Sequence, residues 1–395
     1  MTNKISTIFR KLTACAVFRE ILQTEVLERF GNYVYSKECG ETERIDAYSE
    51  FVSVIYKQGG NLTEIVKKLV FEDENVYVKS VALRKPVDEH ILRSVERELA
   101  AFSELAALTA ADFAADMGVA ETELATFASF NADMGALYKE RLANIGKYGY
   151  GIFSANGMFR LSDEKEIEPI LSADKTTMEQ FIGYEAERAK VVENTKAFIQ
   201  NRPAANTLLC GDAGAGKSST VKAVANAFFG EGVRLIELRK DQLRYLPDVM
   251  GKINGNPLKF IIFIDDLSFN KNDDNFSMLK AALEGSASAT ANNAVIYATS
   301  NRRHIVKESF GEREGDDVHR NDTLQETLSL SERFGLTVLF SKPDKKLYLR
   351  IVKELAKRYG VAMPETELEI KAEEFAIRKG SRSARCAEQF INSLR

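Results

Sequence analysis

The stretch that most constrains this chain is Gly211-Asp-Ala-Gly-Ala-Gly-Lys217-Ser218, followed by Ser219-Thr-Val-Lys. It satisfies the pattern G-x-x-x-x-G-K-[ST] at every fixed position. A strand-length apolar run, Asn206-Thr-Leu-Leu-Cys210, precedes it, and Val221, Val224, Ala225 and Phe228 follow at helical spacing. Strand, glycine loop and helix are the context in which such a loop holds phosphate. The glycines let the main chain approach a polyphosphate closely. Successive N–H groups from Gly211 through Asp212, Ala213, Gly214, Ala215 and Gly216 to Ser219 point into one concavity at a positive helix end. Lys217 is placed to reach the β- and γ-phosphates, and the Ser218 hydroxyl to ligate Mg²⁺. A glycine-rich turn that binds nothing is the alternative, and the flanking strand and helix argue against it.

A second constellation follows one strand later. Phe260-Ile-Ile-Phe-Ile-Asp265-Asp266 is an apolar strand ending in two carboxylates. Mg²⁺ on phosphates keeps several waters and takes a carboxylate at such a strand end. Asp265 fits that role through a water, and Asp266 then serves as base or orienter for the attacking water. Alone, the pair reads as an acidic turn after a core strand; behind a phosphate loop it reads as nucleotide chemistry. Asn270-Lys-Asn-Asp273 matches the N-K-x-D pattern that reads guanine. It falls a few residues past Asp265, in a polar loop on the metal side, so ATP is the expected nucleotide.

Composition narrows the partners. Lys and Arg number 54 against 58 Asp and Glu, a formal charge of −4, which gives no overall attraction for nucleic acid or an anionic membrane. Cys15, Cys39, Cys210 and Cys386 stand far apart without a C-x-x-C pair, which speaks against a disulfide framework or zinc site and for a reducing compartment. No run approaches the ~20 apolar residues of a membrane span. Arg10, Lys11, Arg19 and Glu20 interrupt any signal-peptide core. The expectation is a soluble, cytoplasmic protein.

Along the chain, residues 1 to about 80 carry helical periodicity, with Val76-Tyr-Val78 a candidate short strand. Thr109-Ala-Ala-Asp112 has capping-box spacing. Tyr148 to Phe153, Asn156-Gly157 and Met158 to Leu161 read as a hairpin with an Asn-Gly turn. The polar segment Ser162 to Thr177 reads as a passage between domains. Strands and helices then alternate as in a parallel, doubly wound sheet, with helices expected over Asp241–Met250, Phe276–Glu284 and Asp322–Glu332. Three helices close the chain. Domains are expected at 1–165 (mainly helical), 166–341 (nucleotide core) and 342–395 (helical lid).

The order GDAGAGKS, FIIFIDD, YATSN, SERFGL and GSRSAR resembles an AAA+ ATPase over about Phe181 to Arg395. The longer runs GYEAERAKVVENTKAFI, FIDDLSF, YATSNRRH and LSERFGLTV are similar to a bacterial ATP-binding family catalogued as a domain of unknown function. The resemblance implies a five-stranded parallel core with a helical lid. It implies that Asn301 senses the γ-phosphate and the attacking water. It implies that Arg333 reaches a neighbouring subunit's nucleotide, and that Arg382, or else Arg385, is the lid residue touching bound nucleotide. Arg302 and Arg303 are partner contacts or solvated charges. Most members carry Asp-Glu where this chain has Asp265-Asp266, one methylene shorter. The expected function is Mg²⁺-dependent ATP hydrolysis driving work on a macromolecular partner within a homo-oligomeric ring. A nucleotide-dependent binding switch and a nucleic-acid loader are the alternatives.

Overall fold

The computed structural model describes residues 4–267, 279, 283, 292–301 and 333–395. It divides into two compact units, Met1–Ala155 and Asn156–Arg395.

The first unit is helical among its described residues, from Lys4–Thr13 to Ile152–Ala155. Its core gathers Phe18, Phe30, Phe51, Phe102 and Phe113 with Tyr33 and Tyr48, all buried. The carboxylate of Glu98, 1% exposed, accepts from the backbone N–H groups of Ala16 (2.9 Å), Val17 (3.0 Å) and Phe18 (2.9 Å). These bonds satisfy a turn that helix geometry leaves open. Thr109 and Asp112 form the reciprocal capping box. Val76-Tyr-Val78, a candidate strand in the sequence, opens the helix Val76–Ala82 instead. The Asn75 side chain caps it by accepting from Val78 N at 2.9 Å, and burial of Val78 outweighs β propensity.

The second unit is built on a sheet of seven strands. These are β1 (Met158–Leu161), β2 (Ile167–Pro169), β3 (Thr207–Gly211), β4 (Val233–Leu238), β5 (Lys259–Ile264), β6 (Ala294–Ser300) and β7 (Leu336–Phe340), in the order β2-β1-β4-β5-β6-β3-β7. Neighbours from β1 to β7 pair in parallel. The expected five-stranded parallel core is therefore present and is extended by two short strands. The expected hairpin is not: Ile152–Ala155 is a helical turn, and β1 pairs antiparallel with β2 from the segment read as a linker. Positive φ at Gly149 and Gly151 prevents a strand there, while Lys165 at φ 65° makes the real turn. Asp241–Met250 is a 3-10 turn, Lys240–Tyr245, followed by the helix Leu246–Ile253 with Pro247 in its first turn.

Strand β5 is buried on both faces from Phe260 to Ile264, as parallel strands covered by helices must be. On one side Val221, Val224 and Ala225 of the helix Lys217–Ala227 and its C-cap Phe228, with Val191 and Phe198 of the helix Glu185–Ile199, pack on Leu209, Ile261, Phe263 and Val338. Each such side chain removed from water contributes about 1.5–3 kcal/mol. Register is fixed by polar splints: the Asn206 side chain accepts from Ile296 N at 2.8 Å, and Asn194 Nδ2 donates to the Ala205 carbonyl at 2.8 Å. The helices Lys345–Tyr359, Glu365–Lys379 and Ala384–Asn392 form the lid around Ile351, Val352, Phe390 and Ile391. Asn270–Asp273, Arg302, Arg303 and the expected helix Asp322–Glu332 lie outside the described residues, as does Phe276–Glu284 apart from Leu279 and Leu283.

Candidate functional site

The parallel registers bring the site together. Gly211 at the end of β3 pairs with Phe340, Cys210 with Ser300, and Ile264 with Ala298. The phosphate loop, the Asp265-Asp266 pair and Asn301 therefore emerge at the same C-terminal edge of the sheet, where open α/β sheets bind ligands.

Gly211 cannot carry a side chain: at φ 132° a Cβ would stand 2.0 Å from the Phe340 carbonyl oxygen. Gly214 and Gly216 also have positive φ, and Gly216 opens the helix that begins at Lys217. Asp212 and Ala213 are exposed at the tip, and Ala215 and Lys217 are buried. Lys217 Nζ donates to the carbonyls of Gly211 (2.9 Å) and Asp212 (2.8 Å) and to Asn301 Oδ1 (3.0 Å). Burial draws the Lys217 pKa down, opposed by the charges of Asp212, Asp266 and Asp265.

Ser218 Oγ donates to Asp265 Oδ1 at 2.6 Å. Among the described residues no group of three or more His, Cys, Asp or Glu is arranged to hold a metal. The donor set of one hydroxyl and one strand-end carboxylate suits a hard cation that keeps waters and phosphate oxygens as its other ligands. Asp266 sits in the left-handed region at φ 51°, a conformation that costs a non-glycine residue about 1–2 kcal/mol. Its carboxylate Oδ1 accepts from Asn301 Nδ2 at 2.7 Å. Asn301 thus bridges Lys217 and Asp266.

Two residues that the motifs did not single out belong here. Thr299, 2% exposed, donates from Oγ1 to Asp265 Oδ1 at 2.5 Å and accepts from Asp266 N at 2.9 Å. Arg188 lines a cavity of 460 Å³ beside the loop, together with Phe181, Gly216, Ser219, Leu355 and Arg385. Its signal was present in the sequence: Arg188, Val191, Thr195 and Phe198 share the buried face of one helix, so the arginine stands in an apolar stripe.

The lid arginines differ in placement. Arg382 is committed to Glu373 through Nε–Oε1 at 3.1 Å and Nη2–Oε2 at 2.9 Å, and this pairing holds the Glu373 carboxyl below its usual range. Arg385 lines the cavity, and its N–H donates to the Gly214 carbonyl at 3.4 Å. The lid is also tied to the segment before the core, with Arg358 Nη1 donating to the Gln180 carbonyl at 2.7 Å. Arg333 is half-buried ahead of β7. Leu336 pairs with Thr207 and Phe340 with Gly211, so Arg333 precedes the far end of the strand, about 13 Å of β-chain away from the loop. The bonds of Lys217 to Gly211, Asp212 and Asn301 do not involve Arg333.

The profile of the family described as "Protein of unknown function (DUF815)" matches residues 154–395. No curated protein matches the sequence. Among solved structures, the RuvB Holliday junction branch migration motor of Thermotoga maritima is similar at 12% identity and TM-score 0.34, over 55% of this chain and 71% of that one. Two single-residue variants of that protein give 14% and 13% identity at TM-scores of 0.34 and 0.35, with the same coverage. At those scores the likeness adds nothing to what the sheet itself establishes. Five parallel strands in the order β4-β5-β6-β3-β7, a phosphate loop behind β3 and three closing helices make a P-loop α/β core, and the chain that carries it belongs to the DUF815 family.

Proposed function

We propose that this protein binds ATP and hydrolyses it in the presence of Mg²⁺, coupling the reaction to conformational work on a macromolecular partner within a homo-oligomeric ring. The observation that carries this reading is the convergence of Lys217, Ser218, Asp265, Asp266 and Asn301 through hydrogen bonds of 2.6 to 3.0 Å at one sheet edge. Lys217 would release its carbonyl partners to take the β- and γ-phosphate charge. Ser218 and Asp265 would hold Mg²⁺, which when bound supplies charge neutralisation between phosphate oxygens. Asp266 would orient the attacking water, and Asn301, bonded to both Lys217 and Asp266, would link the presence of the γ-phosphate to that water. The nucleoside would occupy the cavity between loop and lid. We assign the lid contact to Arg385, because the Arg382 guanidinium is engaged by Glu373. Arg333 would serve a neighbouring subunit. The chemistry asked of the chain is positioning and electrostatic stabilisation.

A second reading, a binding switch with little turnover, is favoured by one observation. Asp266 is shorter than glutamate, and Asn301 already holds its carboxylate. Steady-state phosphate release with Mg²⁺-ATP separates the two. Hydrolysis is expected, and Asp266→Asn should slow it about 10²-fold or more while leaving ATP affinity intact. ATP binding without phosphate release would favour the switch. Release unchanged by Asp266→Asn would remove that residue from the chemistry.

A further inference from the structure

Arg188 is 6% exposed, on the helix face otherwise given to Val191, Thr195 and Phe198. Its guanidinium lies over the Phe181 ring, 4.3 Å from the centroid, and Nη1 donates to the Gly183 carbonyl. Nε is buried with no hydrogen-bond partner among the described residues. Glu185, nearby on the same helix, is ion-paired with Arg350 at 2.6 Å instead. Among the described residues no carboxylate forms an ion pair with Arg188. Burial draws its pKa down to about 10, opposed by the charges of Glu185 and Glu187. A desolvated cation without a directly paired carboxylate is costly, and such groups collect at functional sites.

The surroundings say what would meet it. A Cβ built on Gly216 would stand 3.9 Å from Nη2 of Arg188 and 3.8 Å from the Phe181 ring. The guanidinium therefore backs onto the last glycine of the phosphate loop, in the wall of the 460 Å³ cavity. Stacking on Phe181 occupies the guanidinium's face and leaves its in-plane N–H groups for acceptors. We infer that Arg188 is a second cation of the phosphate site, serving the polyphosphate from the cavity side while Lys217 serves it from the sheet side. The charge is kept for the ligand and not for the fold. This inference rests on the nucleotide-binding reading above.

The test uses the full chain, with Arg188→Met, which keeps an apolar stem over Phe181, and Arg188→Lys, which keeps the charge. Each is titrated calorimetrically with ADP, inorganic pyrophosphate and adenosine. Arg188→Met should weaken ADP and pyrophosphate about tenfold to a hundredfold, the range of a hydrogen bond to a charged group. Adenosine should change less than about twofold on the same reasoning, and the nucleotide-free variant should melt no lower than the unaltered chain. Arg188→Lys should bind both anions more tightly than Arg188→Met. Unchanged pyrophosphate affinity would overturn the inference, as would an equal loss for adenosine. An Arg188→Met chain that fails to fold or melts markedly lower would overturn it too, because the fold would then need the charge. If the unaltered chain binds neither ADP nor pyrophosphate, the nucleotide reading itself falls. If it binds both and Arg188→Met binds them equally, only the role of Arg188 falls.

Discussion

Replacing Thr299 by valine tests whether the strand-end carboxylates need an external brace. Valine keeps the shape of this buried position and removes only the hydroxyl. Two bonds disappear: the donation to Asp265 Oδ1 at 2.5 Å and the acceptance from Asp266 N at 2.9 Å. A hydrogen bond to a charged group contributes about 1.5–3 kcal/mol and one from a neutral N–H about 1 kcal/mol. Asp266 N keeps a 3.1 Å contact to Asp265 Oδ1, so part of the second term survives. Asp266 also holds a left-handed conformation worth about 1–2 kcal/mol of strain, which it can release once unbraced. A loss of about 2–4 kcal/mol of transition-state positioning corresponds to about a 30-fold to several-hundred-fold fall in hydrolysis. None of the three Lys217 bonds involves Thr299, so ATP affinity should stay within about threefold, short of the tenfold that 1.4 kcal/mol would bring. Single-turnover hydrolysis with saturating Mg²⁺-ATP, alongside calorimetric affinity, gives both quantities. Thr299→Ser, which restores the hydroxyl, should recover most of the rate. A valine variant that hydrolyses at the unaltered rate, or a serine variant as slow as valine, would refute the bracing argument.

Arg333→Ala should keep its own ATP affinity and lose turnover, by about 10³–10⁵ where a guanidinium completes a neighbour's site. Mixing it with Lys217→Ala should restore part of the activity, and no recovery with subunit exchange verified would exclude action in trans. In the helical unit, burial raises the Asp73 carboxyl from 3.8 to about 6, with the charges of Glu20, Glu74 and Glu98 adding and the Asn75 hydrogen bond opposing. The folded state then holds the proton more tightly than the unfolded one, so Asp73 costs nothing below about pH 4 and destabilises increasingly as pH rises towards 6. Asp73→Asn should therefore raise the melting temperature near pH 8, by the equivalent of about 1–2 kcal/mol after allowance for partial exposure, and leave it unchanged near pH 4. Equal gains at both pH values would contradict the linkage.

How much of this was legible in the sequence follows from how local each constraint is. The phosphate loop was legible because its glycines, Lys217 and Ser218 act within one turn of chain. The placement of Asp265, Asp266 and Asn301 at one sheet edge was legible because each follows an apolar run that reads as a strand, and parallel strands deliver their C-terminal ends to one edge. Thr299 was not, because its role depends on β5 and β6 being neighbours, and nothing in Ala298-Thr-Ser-Asn301 distinguishes a brace from a core threonine. Arg188 was legible only as a charge in register with Val191, Thr195 and Phe198, and its place beside the phosphate loop needs the fold that lays Phe181 against it. Strands β1 and β2 were missed as a pair because four and three residues are too few to show period-2 alternation. The proposed preference for Arg385 over Arg382 rests on Glu373, a contact across the lid that a G-x-R pattern does not encode.

The most direct test of the account is a calorimetric titration of Mg²⁺-ATP into the full chain and into Lys217→Ala. The Lys217 ammonium is bonded to loop carbonyls and Asn301, so its removal takes away polar contacts of the site and the variant should fold. One ATP per chain is expected for the unaltered protein, and binding lost or weakened more than about a hundredfold in the variant, the scale of charged hydrogen bonds to phosphate. A folded Lys217→Ala chain that binds ATP as tightly as the unaltered one would contradict the assignment of the phosphate site, and the proposed function with it.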